Sequence, residues 1–190
     1  GRRAFIKQVL DDVGQRLQSK FPVRQTTQKA PSEFVTEQDR ETESYIRERI
    51  KSEYADDGII GEEHEDYQPG ANTYWVIDPI DGTTNYSHDI PFFCAAIASV
   101  TNGEVTHSGV VSPMHGSTWT AVRGDGAWRD DDELRVGDVD VEDAVLGFCH
   151  GSDDEHVKWL AEQYSSLKSS FGDARQFGAA DLEIALSGSG

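Results

Sequence analysis

The chain has few basic residues, few cysteines and no long apolar run, and each shortage excludes a class of protein. Only 17 of its 190 residues are Lys or Arg, against 35 Asp or Glu, so its formal net charge of −18 would repel nucleic acid and anionic membranes. Its two cysteines, Cys94 and Cys149, lack metal-ligand spacing, which predicts buried free thiols in a reducing compartment. No segment reaches the roughly 20 apolar residues of a membrane span, and the first residues lack a signal-peptide core. We therefore expect a cytoplasmic protein without nucleic-acid or membrane partners.

The aromatic and apolar residues are numerous enough for a folded core. Four Trp, six Tyr and eight Phe argue against the disorder that so acidic a composition would otherwise suggest. A length of 190 residues allows one compact domain, or a large piece of one. We interpret the acid excess, which includes the run at 130–133, as the hydrated surface of a protein from a halophile; ordinary surface acidity is the alternative.

Apolar periodicity predicts an α+β order of elements. Residues 3–19 carry an apolar stripe that recurs about every four residues, which indicates a helix packed on a sheet. Thr36 to Asp39 has the pattern of a second helix start. Apolar runs between Phe92 and Val136 alternate with glycine-containing turns, which is typical of an antiparallel meander. The other predicted elements are strands at 58–61, 74–78 and 145–148 and helices at 153–168 and 178–186.

Two apolar segments each run into a pair of acids. Glu62 and Glu63 follow Ile59-Ile60-Gly61, and Asp78 and Asp81 follow Trp75-Val76-Ile77. Asp78 and Asp81 cannot share one regular strand, but a turn could aim both at one point. An acid-rich turn alone is commoner than a metal site, but four converging carboxylates would repel one another without a cation. The two pairs together therefore predict a site for a hard divalent cation such as Mg²⁺.

The segment that follows Asp81 suits a phosphate group. In Gly82-Thr83-Thr84 the glycine lets backbone N–H groups approach an anion, and a helix that begins there would favour negative charge. By itself this tripeptide is a weak signal. Asp39 stands three residues after Thr36, so spacing alone favours a helix-capping role for it.

The sequence lacks the motifs of several other enzyme classes. It contains no Gly-Lys-Ser/Thr phosphate loop, no Gly-x-Ser-x-Gly elbow and no His-Glu-x-x-His pair. Its six histidines show no ligand spacing among themselves. Nucleotide hydrolysis by a phosphate loop, serine esterase activity and zinc protease activity are therefore not predicted.

Four segments together resemble the inositol monophosphatase family. They are Phe-Val-Thr-Glu-Gln-Asp at 34–39, Gly-Glu-Glu at 61–63, Trp-Val-Ile-Asp-Pro-Ile-Asp-Gly-Thr-Thr-Asn at 75–85 and Gly-Ala-Ala-Asp-Leu at 178–182. The resemblance runs from about residue 3 to the end and implies a layered αβαβα sandwich. It also implies a Mg²⁺-dependent, often lithium-sensitive phosphomonoesterase; relatives include archaeal-type fructose-1,6-bisphosphatases and 3′(2′),5′-bisphosphate nucleotidases.

The same resemblance assigns roles to individual residues. It makes Glu62, Asp78 and the Ile80 carbonyl ligands of one Mg²⁺, with Asp81 at a second ion and Glu63 at a third ion through water. Backbone N–H groups of Gly82 and Thr83 would bind the phosphate, while Gly178, Ala179 and Ala180 would lie along the alcohol portion of the substrate.

The attacking water would be oriented and deprotonated by Asp39 and Thr83, and this role overturns the capping interpretation of Asp39. Lys29 falls close to a family lysine near the metal site. A Trp-Asp pair that the family carries further along the chain is not found before Gly190. We therefore expect that a natural C-terminal part is missing, with residues 1–140 forming the N-terminal α+β part that carries the metal site and 141–190 an incomplete C-terminal αβ part.

The function expected from the resemblance is hydrolysis of inositol monophosphate, fructose 1,6-bisphosphate or both. Water activated by two or three Mg²⁺ ions would attack the phosphate directly and in line. A 3′(2′),5′-bisphosphate nucleotidase is one alternative, and a non-catalytic fragment that binds metal or phosphate is another. The expected partner is a small phosphorylated metabolite, and the family likeness is compatible with a homodimer.

Overall fold

A computed structural model describes residues 1–23, 31–149 and 154–189, and for residues 31–35 it describes the backbone only. Helices and strands follow one another along the chain in the α+β order predicted from the sequence. The helices are α1 (Arg2–Ser19), α2 (Pro31–Glu53), α3 (Thr83–Ser87), α4 (Asp154–Ser170) and α5 (Ala180–Ser187). The strands are β1 (Gly58–Ile60), β2 (Thr73–Asp81), β3 (Cys94–Thr101), β4 (Glu104–Ser112), β5 (Ser117–Val122), β6 (Gly126–Arg129), β7 (Asp132–Glu133), β8 (Val145–Gly147) and β9 (Asp173–Arg175).

The first seven strands form one sheet whose spatial order follows the sequence, β1 to β7. β1 pairs with β2 in parallel, and every later neighbour pair in this sheet is antiparallel. Tight turns connect the antiparallel strands from β3 onward; Asn102 and Gly103 between β3 and β4 both have positive φ, as a two-residue hairpin turn requires. The predicted meander is confirmed.

Helices cover both faces of this sheet. α1 packs across β3, β4 and β5, and α2 packs against β2. The apolar stripe of α1 supplies much of the core on this face, with Phe5, Ile6, Val9, Leu10, Val13 and Leu17 all buried. α5 contacts β2, β3 and β4, and its Leu182 is buried with Trp119 and Cys94 in a separate apolar cluster. The layered α+β prediction is confirmed.

α2 begins earlier than the sequence pattern indicated. The helix starts at Pro31, so Thr36 and Asp39 lie in its interior and not at its N-terminus. Proline is favoured in the first turn of a helix because its missing N–H would have no intrahelical partner there. The capping interpretation of Asp39 is therefore wrong.

β8 and β9 form a separate two-stranded parallel sheet. α4 contacts β9, and none of its described side chains is buried. Cys149 follows β8 and is exposed, whereas Cys94 at the start of β3 is buried. The prediction of two buried thiols is thus correct for Cys94 and wrong for Cys149, which lies beside a small sheet and not in the main core.

Candidate metal and phosphate site

A bulge in β2 brings Asp78 and Asp81 to the same end of the sheet. Asp78 pairs with Ala96 and Asp81 with Cys94, so three residue steps on β2 face two steps on β3. The extra residue bends the strand and reverses the alternation of its side chains. Both aspartates therefore belong to β2, and a bulge within the strand takes the place of the turn that was expected to aim them at one point.

Acids from α2 and from the loop after β1 surround this strand end. Asp39 is only 7% exposed in the interior of α2. Burial, followed by the negative charges of Glu63, Asp78 and Glu62, raises the pKa of Asp39 to about 8. Burial and the neighbouring Glu63 also raise the pKa of Glu62. The carboxylates predicted to form one site thus interact electrostatically across three separate segments of the chain.

Asp78 lies at the centre of this repulsion. Burial raises its pKa to about 7, and the charges of Glu62, Asp81 and Asp181 act in the same direction. Its Oδ1 atom is buried and has no hydrogen-bond partner. A buried carboxylate oxygen without a partner costs free energy unless a cation or a proton compensates it.

Mg²⁺ prefers hard oxygen donors such as these carboxylates. The buried Asp78 Oδ1, which has no hydrogen-bond partner, is the atom that such an ion would compensate. The donor set therefore fits the cation in chemistry and charge. In the described ranges 1–23, 31–149 and 154–189, however, no three His, Cys, Asp or Glu side chains are grouped so that they could already hold a metal ion.

The phosphate segment takes the predicted turn-to-helix form. Gly82 has φ 86° and ψ 38°, a left-handed conformation that favours glycine, and α3 begins at the next residue. Thr83 Oγ1 donates a hydrogen bond of 3.0 Å to the Ile80 carbonyl. Thr83 is exposed, and its backbone N–H is among the first N–H groups of the helix, which have no intrahelical partner.

The segment at 178–180 packs directly against this turn. A Cβ atom placed on Gly82 would lie 3.0 Å from the Ala179 Cβ and 3.3 Å from the Gly178 carbonyl oxygen. Only a residue without a side chain allows so close an approach. The structure therefore brings the predicted phosphate and alcohol segments together, although they are far apart in sequence.

Four residues support the site through contacts that were not predicted from the sequence. Asp181 donates its backbone N–H to Asp81 Oδ2 at 2.7 Å, and the Cys94 thiol approaches the same oxygen at 3.5 Å. Glu43 accepts two hydrogen bonds from the loop at 61–63, and Asn85 bonds the chain near Gly178. Asn85 and Asp181 stand within the segments quoted from the sequence, but each of these contacts joins separate elements, so no local pattern predicts it.

An apolar groove of about 450 Å³ borders the acids between the sheet and α5. Asp78 and Asp181 lie at its edge, and most of its remaining lining is aliphatic. Its chemistry does not suit a phosphate. Lys29 lies outside the described residues. Among those that are described, no helix combines the length and apolar character needed to cross a bilayer.

Comparisons with known proteins point to a single family. The model of the inositol monophosphatase family matches residues 2–190. The inositol-1-monophosphatase of Rhizobium meliloti is 36% identical over 174 residues, which are 87% of this chain and 64% of that protein. The fructose-1,6-bisphosphatase/inositol-1-monophosphatase of Thermotoga maritima is 34% identical over 158 residues, 83% of this chain and 59% of that protein.

Solved structures show the same fold. The extragenic suppressor protein suhB of Bartonella henselae superposes with a TM-score of 0.84 at 28% identity, over 98% of this chain and 74% of that one. The chain spans less than two thirds of the length of the Rhizobium meliloti protein and of the Thermotoga maritima protein. With its acidic strand end, its Gly82 turn and these matches taken together, the chain belongs to the inositol monophosphatase family.

Proposed function

We propose that this site binds Mg²⁺ and hydrolyses the phosphate monoester of a small metabolite, either an inositol phosphate or a sugar phosphate. The observation that carries the proposal is the buried, unpartnered Asp78 Oδ1, which lies among repelling carboxylates beside the Gly82 turn. A cation would relieve the repulsion, and the turn offers backbone N–H groups to a phosphate. The family is generally Mg²⁺-dependent, which supports the same assignment.

The residues that would hold Mg²⁺ are those at the end of β2 and in the loop after β1. Glu62, Asp78 and the Ile80 carbonyl are proposed for one ion, Asp81 for a second, and Glu63 for a third through water. Mg²⁺ bound here would place positive charge against the phosphate and acidify water. The Ile80 carbonyl already accepts the Thr83 hydroxyl, but it retains a second lone pair.

Asp39 is proposed as the proton acceptor. Its high pKa reflects burial and uncompensated neighbouring acids, so a cation among those acids would favour its ionised form. Asp39 would then take the proton of a water molecule that it orients together with the Thr83 hydroxyl, as the water oxygen bonds to the phosphorus atom in line. The ester P–O bond would break on the opposite side, and the departing alcohol oxygen would take a proton from solvent. The N–H groups of Gly82 and Thr83 would hold the phosphate during this step.

The segment of Gly178, Ala179 and Ala180 is proposed to border the alcohol portion, because it touches the Gly82 turn. The relative from Thermotoga maritima is named for both fructose-1,6-bisphosphatase and inositol-1-monophosphatase, which supports dual activity as one option. Hydrolysis of a 3′(2′),5′-bisphosphate nucleotide ranks below hydrolysis of an inositol phosphate or of fructose 1,6-bisphosphate.

Release of inorganic phosphate from a panel of esters, with Mg²⁺ and with a chelator, tests the proposal. The panel contains inositol 1-phosphate, fructose 1,6-bisphosphate and a 3′,5′-bisphosphate nucleotide. We expect Mg²⁺-dependent turnover of the first, the second or both. Binding of Mg²⁺ and phosphate without turnover of any ester would contradict the catalytic proposal and favour a non-catalytic binding fragment.

Asp81→Asn provides the matching variant, with the exposed Asp131→Asn as its control. The amide oxygen that the substitution introduces can still accept the Asp181 N–H, so we expect a melting temperature close to that of the wild type. Activity should fall by more than about 100-fold, the upper range for loss of even an outer partner of a metal ligand. Near-normal turnover in Asp81→Asn would remove Asp81 from the proposed site.

A further inference from the structure

Glu43 is a fully buried acid directly beneath the loop that carries Glu62 and Glu63. It lies on α2 one turn after Asp39 and has no exposed surface. Its Oε2 atom accepts the backbone N–H of Glu62 at 3.0 Å and that of Glu63 at 2.7 Å. One side chain therefore holds two consecutive peptide groups of the loop.

Arg47 completes the environment of this carboxylate. Its Nη1 donates to Glu43 Oε1 at 3.0 Å, one helical turn further along α2, and Arg47 is itself only 7% exposed. Its Nη2 donates to the Glu65 carbonyl at 2.5 Å, so the pair bonds the loop at both ends. A buried ion pair stabilises a structure only when its remaining hydrogen-bonding groups are also satisfied, as they are for Glu43 here.

Gly61 leaves the space into which the carboxylate fits. A Cβ atom on Gly61 would lie 2.2 Å from Glu43 Oε1 and 2.7 Å from Glu43 Oε2. Any larger residue at this position would displace either the loop or the buried acid. The shape of the loop and the placement of Glu43 are therefore matched to each other.

We propose that Glu43 is a positioning residue that fixes the loop at 61–63, so that Glu62 and Glu63 present their carboxylates to Mg²⁺. If residue 43 only filled space, an aliphatic side chain would do so without adding a negative charge to an acidic region. Only an acceptor at this point can hold both N–H groups, and only a charged acceptor also pairs with Arg47. The inference rests on the proposed function, because it assigns Glu62 and Glu63 to the metal.

The first test compares Glu43→Ala with Glu43→Gln by Mg²⁺ titration calorimetry and by hydrogen exchange of the Glu62 and Glu63 amides. Loss of an outer partner of a metal ligand typically costs about 10–100-fold in metal affinity, so we expect a loss of this size in Glu43→Ala, with faster exchange of both amides. The Gln carbonyl oxygen can accept the same two N–H groups, so Glu43→Gln should recover most of the affinity. A merely structural role would lower stability in both variants without this difference in Mg²⁺ affinity.

Gly61→Ala tests the same loop from the opposite side, and it serves if Glu43→Ala does not fold. Gly70→Ala is its matched control, since a Cβ atom on Gly70 meets nothing within 4 Å. We expect weaker Mg²⁺ binding and faster amide exchange in Gly61→Ala, and neither change in Gly70→Ala. The proposal would be overturned if Gly61→Ala and Glu43→Gln both kept the Mg²⁺ affinity and the amide exchange of the wild type while Glu43→Ala kept them too. It would equally be overturned if those two variants kept both properties and Glu43→Ala did not fold.

The proposed function and the role of Glu43 can fail separately. If the wild type binds no Mg²⁺, the proposed function fails, and amide exchange alone then decides whether Glu43 holds the loop. If the wild type binds Mg²⁺ and every folded variant binds it equally well, only the role of Glu43 is wrong.

Discussion

Asn85 connects two parts of the site that are 92 residues apart in sequence. Its Nδ2 donates to the Phe92 carbonyl and to the Phe177 carbonyl, both at 2.7 Å, and the residue is only 8% exposed. Phe177 immediately precedes Gly178, so this side chain sets the distance between the phosphate turn and the proposed alcohol segment. The contact has the same character as that of Glu43, since one buried polar group holds the backbone of another segment.

Replacing Asn85 by Asp should therefore separate the two segments. Both carbonyl groups would then face a carboxylate oxygen in place of an N–H donor, and we expect a loss of about 1–3 kcal/mol in the free energy of unfolding. Urea unfolding measures this loss, and substrate titration should show a raised KM. Asn72→Asp is the exposed control and should change neither quantity. Unchanged stability and KM in Asn85→Asp would show that this contact does not hold the segments together.

At the scale of elements, the periodic segments could be predicted and the irregular ones could not. The apolar stripe of α1 and the alternation of β3 to β5 are local patterns, and the structure has both close to their predicted bounds. The bulge between Asp78 and Asp81 depends on the pairing of β2 with β3, which no local pattern records. The start of α2 at Pro31 lies ahead of the capping-like pattern at Thr36 to Asp39, which indicated a later start.

The same division holds within the site. Asp39, Glu62, Asp78 and Asp81 could be identified because they stand in a family motif or at the end of an apolar strand. Glu43 and Asn85 act through contacts with the backbone of distant segments, so their importance appears only in three dimensions. The roles of all these residues in catalysis remain predictions.

The two helical layers differ in how completely they bury their apolar residues. Ile6 on α1 has no exposed surface, whereas Ile184 on α5 is 69% exposed. We expect Ile6→Ala to lower the free energy of unfolding by about 2–5 kcal/mol, because it removes buried area and leaves a cavity. Ile184→Ala should change it by no more than about 0.5 kcal/mol. Denaturant unfolding of this matched pair measures both values, and a large loss in Ile184→Ala would mean that its face is covered in solution.

For the whole molecule, the net charge of −18 acts in two places with different consequences. Most acids, such as those at 130–133, lie on the hydrated surface and are screened by salt. Asp39 is buried and Asp78 is half-buried with its Oδ1 atom enclosed, so salt screens their repulsion far less. The assignment to a high-salt organism concerns the first group and stays a prediction.

The buried acids should make the stability of the metal-free protein depend on pH. The pKa of Asp39 is raised to about 8 and that of Asp78 to about 7, while an unfolded chain has values near about 4. Between about pH 4 and 8 the folded state therefore binds more protons than the unfolded state, and its stability falls as the pH rises. Mg²⁺ binds the ionised carboxylates, so its stabilising effect should grow over the same range.

Thermal unfolding in chelator from about pH 5 to 8, at constant ionic strength, measures this dependence. Asp78→Asn removes one of the two acids with the most strongly raised pKa, so its melting temperature should fall less steeply with pH than that of the wild type. Asp131→Asn keeps both buried acids and should retain the wild-type slope. Equal slopes for Asp78→Asn and the wild type would mean that Asp78 is already ionised in the metal-free protein. The partnerless Oδ1 would then be compensated by something other than a proton.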